Sequence, residues 1–219
     1  MVMIFNHENI MSLDKLYRIN LINSITGAKS ANLVGSKSKQ GVDNLAIFSS
    51  VVHLGSDPPY IGFFIRPQTL KKTDTFKNII DNNFFTINSI DESIFKRSHL
   101  TSKKFDDNQS EFDYCSIEKT TINGFYAPFV MQSKIKIGLN LVEKKKIIND
   151  CTLIVGQVQL LSINDNDLDD FGRAKIHEMD IVSISGSDTY NRISKIETLP
   201  YISSKLKIEE NLIEKKSTI

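Results

Sequence analysis

The residues of this sequence best suited to chemistry lie in the stretch NLAIFSSVVHLGSDPPYIGFFIRP, Asn44 to Pro67, and in the segment TDTFKNIIDNN that follows. Ser49 and Ser50 bring hydroxyl donors, Arg66 brings a fixed planar cation, and Thr73 or Asp74 can cap a helix. A phosphate group wants this set: several hydroxyl or backbone N–H donors, the bidentate fork of an arginine, and a helix N-terminus with free N–H groups and partial positive charge. On spacing alone a second reading stays open, in which Ser49 and Ser50 satisfy nearby backbone and Arg66 pairs with an aspartate. Asn44 and His53 are further polar residues in an apolar setting.

Strands must position these groups. SANLVGSKSKQGVDNLAIFSSVV reads as strand, turn, strand, with Gly41 as the turn residue. The prolines of SDPPY cannot donate ladder hydrogen bonds and so bound the strands on either side. YIGFFIRP is a short apolar run, as in a strand buried on both faces. Phe76, Ile79 and Ile80 give TDTFKNIIDNN its helical spacing, FFTINSI is a strand, and DESIFKRSHLTSKKF starts as a short helix. In SKIKIGLNLVEKK, Ile135, Ile137, Leu139 and Leu141 alternate with Lys134, Lys136 and Asn140, which predicts a half-exposed antiparallel strand. CTLIVGQVQLLSI is another strand, with Gly156 marking a bulge or a close approach. Near the N-terminus, Ser12 is the expected cap of a helix carrying Leu13, Leu16 and Tyr17 on one face. Strand follows strand with short helices inserted, so a mainly β antiparallel barrel fits better than a doubly wound parallel sheet.

Composition narrows the function classes. The chain has 219 residues, 40% of them hydrophobic, and a formal net charge of +1. That predicts a single domain over 1–219, with a core over about 13–190 and a charged extension at 200–219. Charges of both signs are scattered, so no basic face points to nucleic acid. The runs Lys144–Lys146 and Lys215–Lys216 read as solvated termini or turns. Cys115 and Cys151 fit no zinc or redox spacing, which suits free thiols in a reducing cytosol. No signal-peptide pattern opens the sequence and no apolar run approaches the roughly 20 residues of a membrane helix, so a soluble cytoplasmic protein is expected. The Gly-rich dinucleotide fingerprint, the Walker loop and the G-x-S-x-G elbow are missing. His7, His53, His99 and His177 form no metal-spaced pair, so no metal is expected.

GVDNLAIFSSVVHLGSDPPYIGFFIRP followed by TDTFKNIIDNNFFTIN resembles the flavin reductase-like family. HLTSKKF, SEFDYC, INGFYAPFVMQSKIKIGL and TLIVGQVQ extend the resemblance in order, from about Phe5 or Leu13 to Tyr190. It implies an antiparallel Greek-key FMN-binding split barrel, normally a homodimer, with FMN in a groove near the dimer interface and NADH or NADPH as hydride donor. By the same resemblance Asn44, Leu45 and Ala46 approach the isoalloxazine, partly through backbone. Ser49 and Ser50 reach the ribityl chain or phosphate, and Arg66, Lys72, Thr73 and Thr75 complete the phosphate end. His53 and His99 are candidates for the pocket wall. The flavin carries the redox chemistry, so no catalytic side chain is assigned.

One departure bears on the donor. Many flavin reductases of this fold have a histidine just before the strand that TLIVGQV resembles, where it helps to place the nicotinamide; here that residue is Cys151. The leading expectation is a flavin reductase moving hydride from NAD(P)H to FMN. The alternative is a flavoredoxin-like FMN electron carrier serving an electron-acceptor protein. A non-redox split-barrel binding module ranks third.

Overall fold

The computed structural model describes residues 2–68, 72–106 and 108–199. The predicted C-terminal extension at 200–219, with Lys215 and Lys216, lies outside the described residues. Twelve strands occur in the described chain: β1 Lys29–Ser30, β2 Asn32–Lys37, β3 Asp43–Phe48, β4 Val52–Ser56, β5 Pro59–Ile65, β6 Phe84–Ser89, β7 Lys119–Thr120, β8 Phe129–Val130, β9 Lys136–Lys146, β10 Thr152–Ser162, β11 Val182–Ser185 and β12 Thr189–Arg192. The helices are α1 His7–Ser12, α2 Lys15–Ser24, α3 Asp74–Asn82, α4 Phe95–Leu100 and α5 Glu111–Tyr114.

Seven strands form one sheet in the order β3-β2-β6-β9-β10-β5-β4, and every pairing in it is antiparallel. β6 returns beside β2 only after the β4–β5 hairpin has crossed to the far edge, which is Greek-key connectivity. β3 and β4 are opposite edges of this sheet yet adjacent in sequence. The linker between them brings the edges together at Ser50, whose Oγ donates to the Phe64 carbonyl at 3.0 Å and accepts the Phe64 N–H at 3.1 Å. A hydroxyl here takes the place of a ladder partner, and the sheet closes into a barrel with a split at this seam.

Alternation along β2 divides the apolar residues between two cores. Leu33 joins Leu45, Ile90, Ile94, Phe112 and Val182 on one face. Val34 joins Phe63, Ile79, Phe85, Leu139 and Ile154 on the other. Gly156 marks both things expected of it. The β9–β10 register shifts between Val155 and Gly156, and a Cβ there would stand 2.5 Å from the Phe85 ring.

Two local expectations need correction. Ser12 ends α1 and does not cap the following helix; Asp14 does, its Oδ1 accepting the N–H of Leu16 at 2.9 Å and of Tyr17 at 3.1 Å. A carboxylate that accepts two free amides while complementing the helix dipole is the stronger stop for the chain. Lys144, Lys145 and Lys146 are solvated as expected, but they sit within β9, paired with Ile154, Leu153 and Thr152 of β10. Cross-strand pairing extends the hairpin past the point where the hydrophobic alternation stops.

Candidate functional site

The edge of β3, the first turn of α3 and the exit of β5 come together through polar side chains. Asn44, on β3, is buried, and its Nδ2 donates to Ser36 Oγ at 3.1 Å and to Thr75 Oγ1 at 3.0 Å. Asn78, one turn further along α3, donates to the same Ser36 oxygen at 3.2 Å. Both amide hydrogens of Asn44 are therefore used inside the fold, and Thr75 is buried as its acceptor. These bonds fix the α3 N-terminus against β3.

α3 begins at a formed cap. Thr73 Oγ1 accepts the N–H of Phe76 at 3.4 Å. Gln68 ties this cap to the end of β5: its Nε2 donates to the Arg66 carbonyl at 2.8 Å, and its Oε1 accepts from Thr73 N at 2.7 Å and Thr73 Oγ1 at 3.2 Å. One amide side chain thus holds Arg66 and Thr73 in register. The Arg66 guanidinium is exposed and makes no hydrogen bond or ion pair among the described residues. Lys72 is exposed as well, its Nζ 6.0 Å from the centre of the Phe76 ring. A groove of about 510 Å³ opens beside the cap, lined by Gln68, Phe76, Lys144, Lys146, Asp150 and Thr152.

The remaining predicted residues divide by position. Leu45 turns its side chain into the first core and Ser50 closes the barrel seam. Ala46 and Ser49 are half-buried on and just beyond β3. His53 is exposed on edge strand β4, with Nε2 3.0 Å from Ser56 Oγ in the same hairpin. His99, on α4, is half-buried, with Nδ1 3.0 Å from the hydroxyl of Tyr190. Burial, and then the Asp188 charge, push the Tyr190 hydroxyl up to about 12, so it stays protonated. The structure thus joins Asn44 with Thr75, and Arg66 with Thr73, while His53 and His99 make their bonds elsewhere.

Ser36, Gln68, Asn78 and Glu111 escaped the sequence reading. Glu111 opens α5, is 7% exposed, and its Oε2 accepts the Leu45 N–H at 2.9 Å. Burial raises its carboxyl above the ordinary value, the Leu45 N–H and its own N–H oppose this, and the charge of Asp74 adds to it. SEFDYC contains this residue, but nothing in that stretch says its carboxylate reaches β3. Of the two free cysteines, Cys115 is buried, with its thiol raised by burial and then by Glu111. Cys151 is half-buried immediately before β10. Among the described residues, no group of three His, Cys, Asp or Glu side chains is placed to hold a metal ion, and no helix is long and apolar enough to cross a membrane.

Residues 28–179 match the family model for the flavin reductase like domain. A solved candidate flavin reductase with a split barrel domain, from Shewanella frigidimarina NCIMB 400, is 38% identical with a TM-score of 0.88, covering 92% of this chain and 100% of that one. The flavoredoxin of Desulfovibrio vulgaris (Miyazaki F) is 20% identical with a TM-score of 0.69, covering 81% and 93%. An FMN-binding protein from Thermus thermophilus is 19% identical with a TM-score of 0.66, covering 80% and 91%.

Proposed function

The chain belongs to the flavin reductase-like family, and from that premise we propose that it is an FMN-dependent oxidoreductase that passes hydride from NADH or NADPH to the flavin. The observation that carries this reading is the exposed Arg66 guanidinium, without a partner among the described residues, on a backbone that Gln68 ties to the Thr73-capped start of α3. An exposed arginine next to free helix N–H groups suits a phosphate monoester such as the tail of FMN. Arg66, Lys72, Thr73 and Ser49 would hold that tail. The backbone of β3 from Asn44 to Ala46 would face the ring system, held in place by the buried bonds of Asn44 and Glu111. Bound FMN would supply the redox chemistry, and the protein would position it and limit its contact with water. Asn44 and Thr75 enter this reading as braces, since their side chains are bonded to each other.

A homodimer belongs to the same reading. β4 is an edge strand, and its Val52 and Leu54 are 37% and 46% exposed. An apolar open edge is a natural surface for a second copy. The test has two steps: FMN titration of the purified protein, then consumption of NADH and NADPH with FMN added. Loss of either nucleotide's absorbance supports the reductase, and no FMN binding removes the whole reading.

Cys151 favours a second reading, an FMN-bound electron carrier in the manner of a flavoredoxin, with a separate protein as electron acceptor. A thiol just before β10 is only a weak hydrogen-bond donor where an imidazole N–H would be a good one. Rapid mixing of the flavin-loaded protein with NADH and NADPH decides between the two. Fast bleaching by either nucleotide supports the reductase, and a flavin that stays oxidised supports the carrier.

A further inference from the structure

β3 is an edge strand, so every second N–H along it points away from β2 and lacks a ladder partner. At Leu45 that N–H is buried and its acceptor is a carboxylate: Glu111 Oε2, 2.9 Å away, from a residue 7% exposed. The contact spans 66 residues of sequence. The adjoining part of α5 is held against the same strand, because Phe112 and Cys115 pack with Leu45 in the first core. On the opposite face of β3, Asn44 is bonded to Ser36 and Thr75. Two consecutive residues of the strand are therefore clamped from opposite sides, at the point where its edge would meet the flavin ring.

We propose that Glu111 is a positioning residue for the flavin site, acting through the Leu45 N–H to hold β3 in the conformation that receives the ring. This rests on the reading of β3 as the flavin-facing strand. Glu111 itself does not touch the ligand. What matters is an acceptor oxygen at this spot, which a carboxylate or an amide can supply and an apolar side chain cannot. Without it the Leu45 N–H stays buried and unpaired, and the strand must shift to recover a partner.

FMN titration of the full chain tests this, with wild type, Glu111→Gln and Glu111→Ala compared and folding checked by circular dichroism. Glu111→Ala is expected to weaken FMN binding by about 10-fold, the size of one lost hydrogen bond to a charged group. Glu111→Gln, which keeps an acceptor of the same reach, is expected to stay within about 2-fold of wild type. If Glu111→Ala does not fold, Glu111→Met fills the volume without accepting and takes its place. Wild-type affinity in a folded Ala or Met variant overturns the proposal, as does a Gln variant that loses as much as Ala. Failure of wild type itself to bind FMN overturns the flavin reading on which the proposal stands.

Discussion

At Asn44 both amide hydrogens are bound inside the fold, to Ser36 and Thr75, whereas the Arg66 guanidinium faces solvent with no partner among the described residues. The two residues belong to one candidate site, and both are polar groups at strands of the same barrel. What separates them is where their bonding capacity goes. A buried amide whose donors are all used sets geometry; an exposed cation with its donors unused can take a ligand. Thr75 and Ser50 fall with Asn44, since their hydroxyls are bonded to a side chain and to backbone. Lys72 falls with Arg66.

Substitutions can break or sharpen that contrast. Asn44→Ala has the largest expected effect: it removes two buried hydrogen bonds and leaves the Thr75 hydroxyl without its amide donor, while Ser36 keeps Asn78, which should cost about 2–4 kcal/mol of stability, read as a lower denaturant midpoint. Arg66→Ala should do the reverse. FMN binding weakens by about 1.5–3 kcal/mol, roughly 10- to 150-fold, while stability stays within about 0.5 kcal/mol of wild type. If Arg66→Ala destabilised the fold as Asn44→Ala does, the division between brace and ligand-holder would fail.

A smaller effect concerns pH. Burial raises the Glu111 carboxyl above its ordinary value of 4.5, so the folded state binds more protons than the unfolded state in the window just above that value. Stability contributed by this group is full below the window and falls as pH rises through it. The ionisable neighbours that act in the same place are Asp74, whose charge adds to the shift, and Cys115. Glu111→Gln should flatten this decline in a series of denaturation midpoints against pH; an unchanged slope would place the titration elsewhere. The smallest effect belongs to His53, whose ring bonds only within its own hairpin. His53→Ala should change stability by less than about 0.5 kcal/mol, and a larger loss of FMN affinity than of stability would return it to the pocket wall.

Much of the fold was legible because it rests on periodicity. Ile137, Leu139 and Leu141 alternate as a half-buried strand must, Phe76, Ile79 and Ile80 share a helical face, and the prolines of SDPPY mark a hairpin. The site was legible only as a list of residue types. Nothing local distinguishes Ser49, which is half-buried just beyond β3, from Ser50, which closes the barrel. That difference depends on which strand crosses to Phe64, a contact 14 residues away. Glu111 was illegible for the same reason at greater distance, since its partner is 66 residues away. Gln68 is two residues from Arg66 in sequence, but its part depends on Thr73, five residues on, lying within reach of its amide. Ser12 does not cap the helix because Asp14, two residues on, competes for the same helix end and its carboxylate accepts two amides.

The central claim is that this barrel holds FMN with its phosphate at Arg66. Titration of the purified protein with FMN, followed through the flavin absorbance near ~450 nm, tests it most directly when wild type and Arg66→Ala are run side by side. The expected result is saturable binding by wild type and clearly weaker binding by a folded Arg66→Ala variant. No saturable change with wild type, or equal affinity in the two proteins, would contradict it.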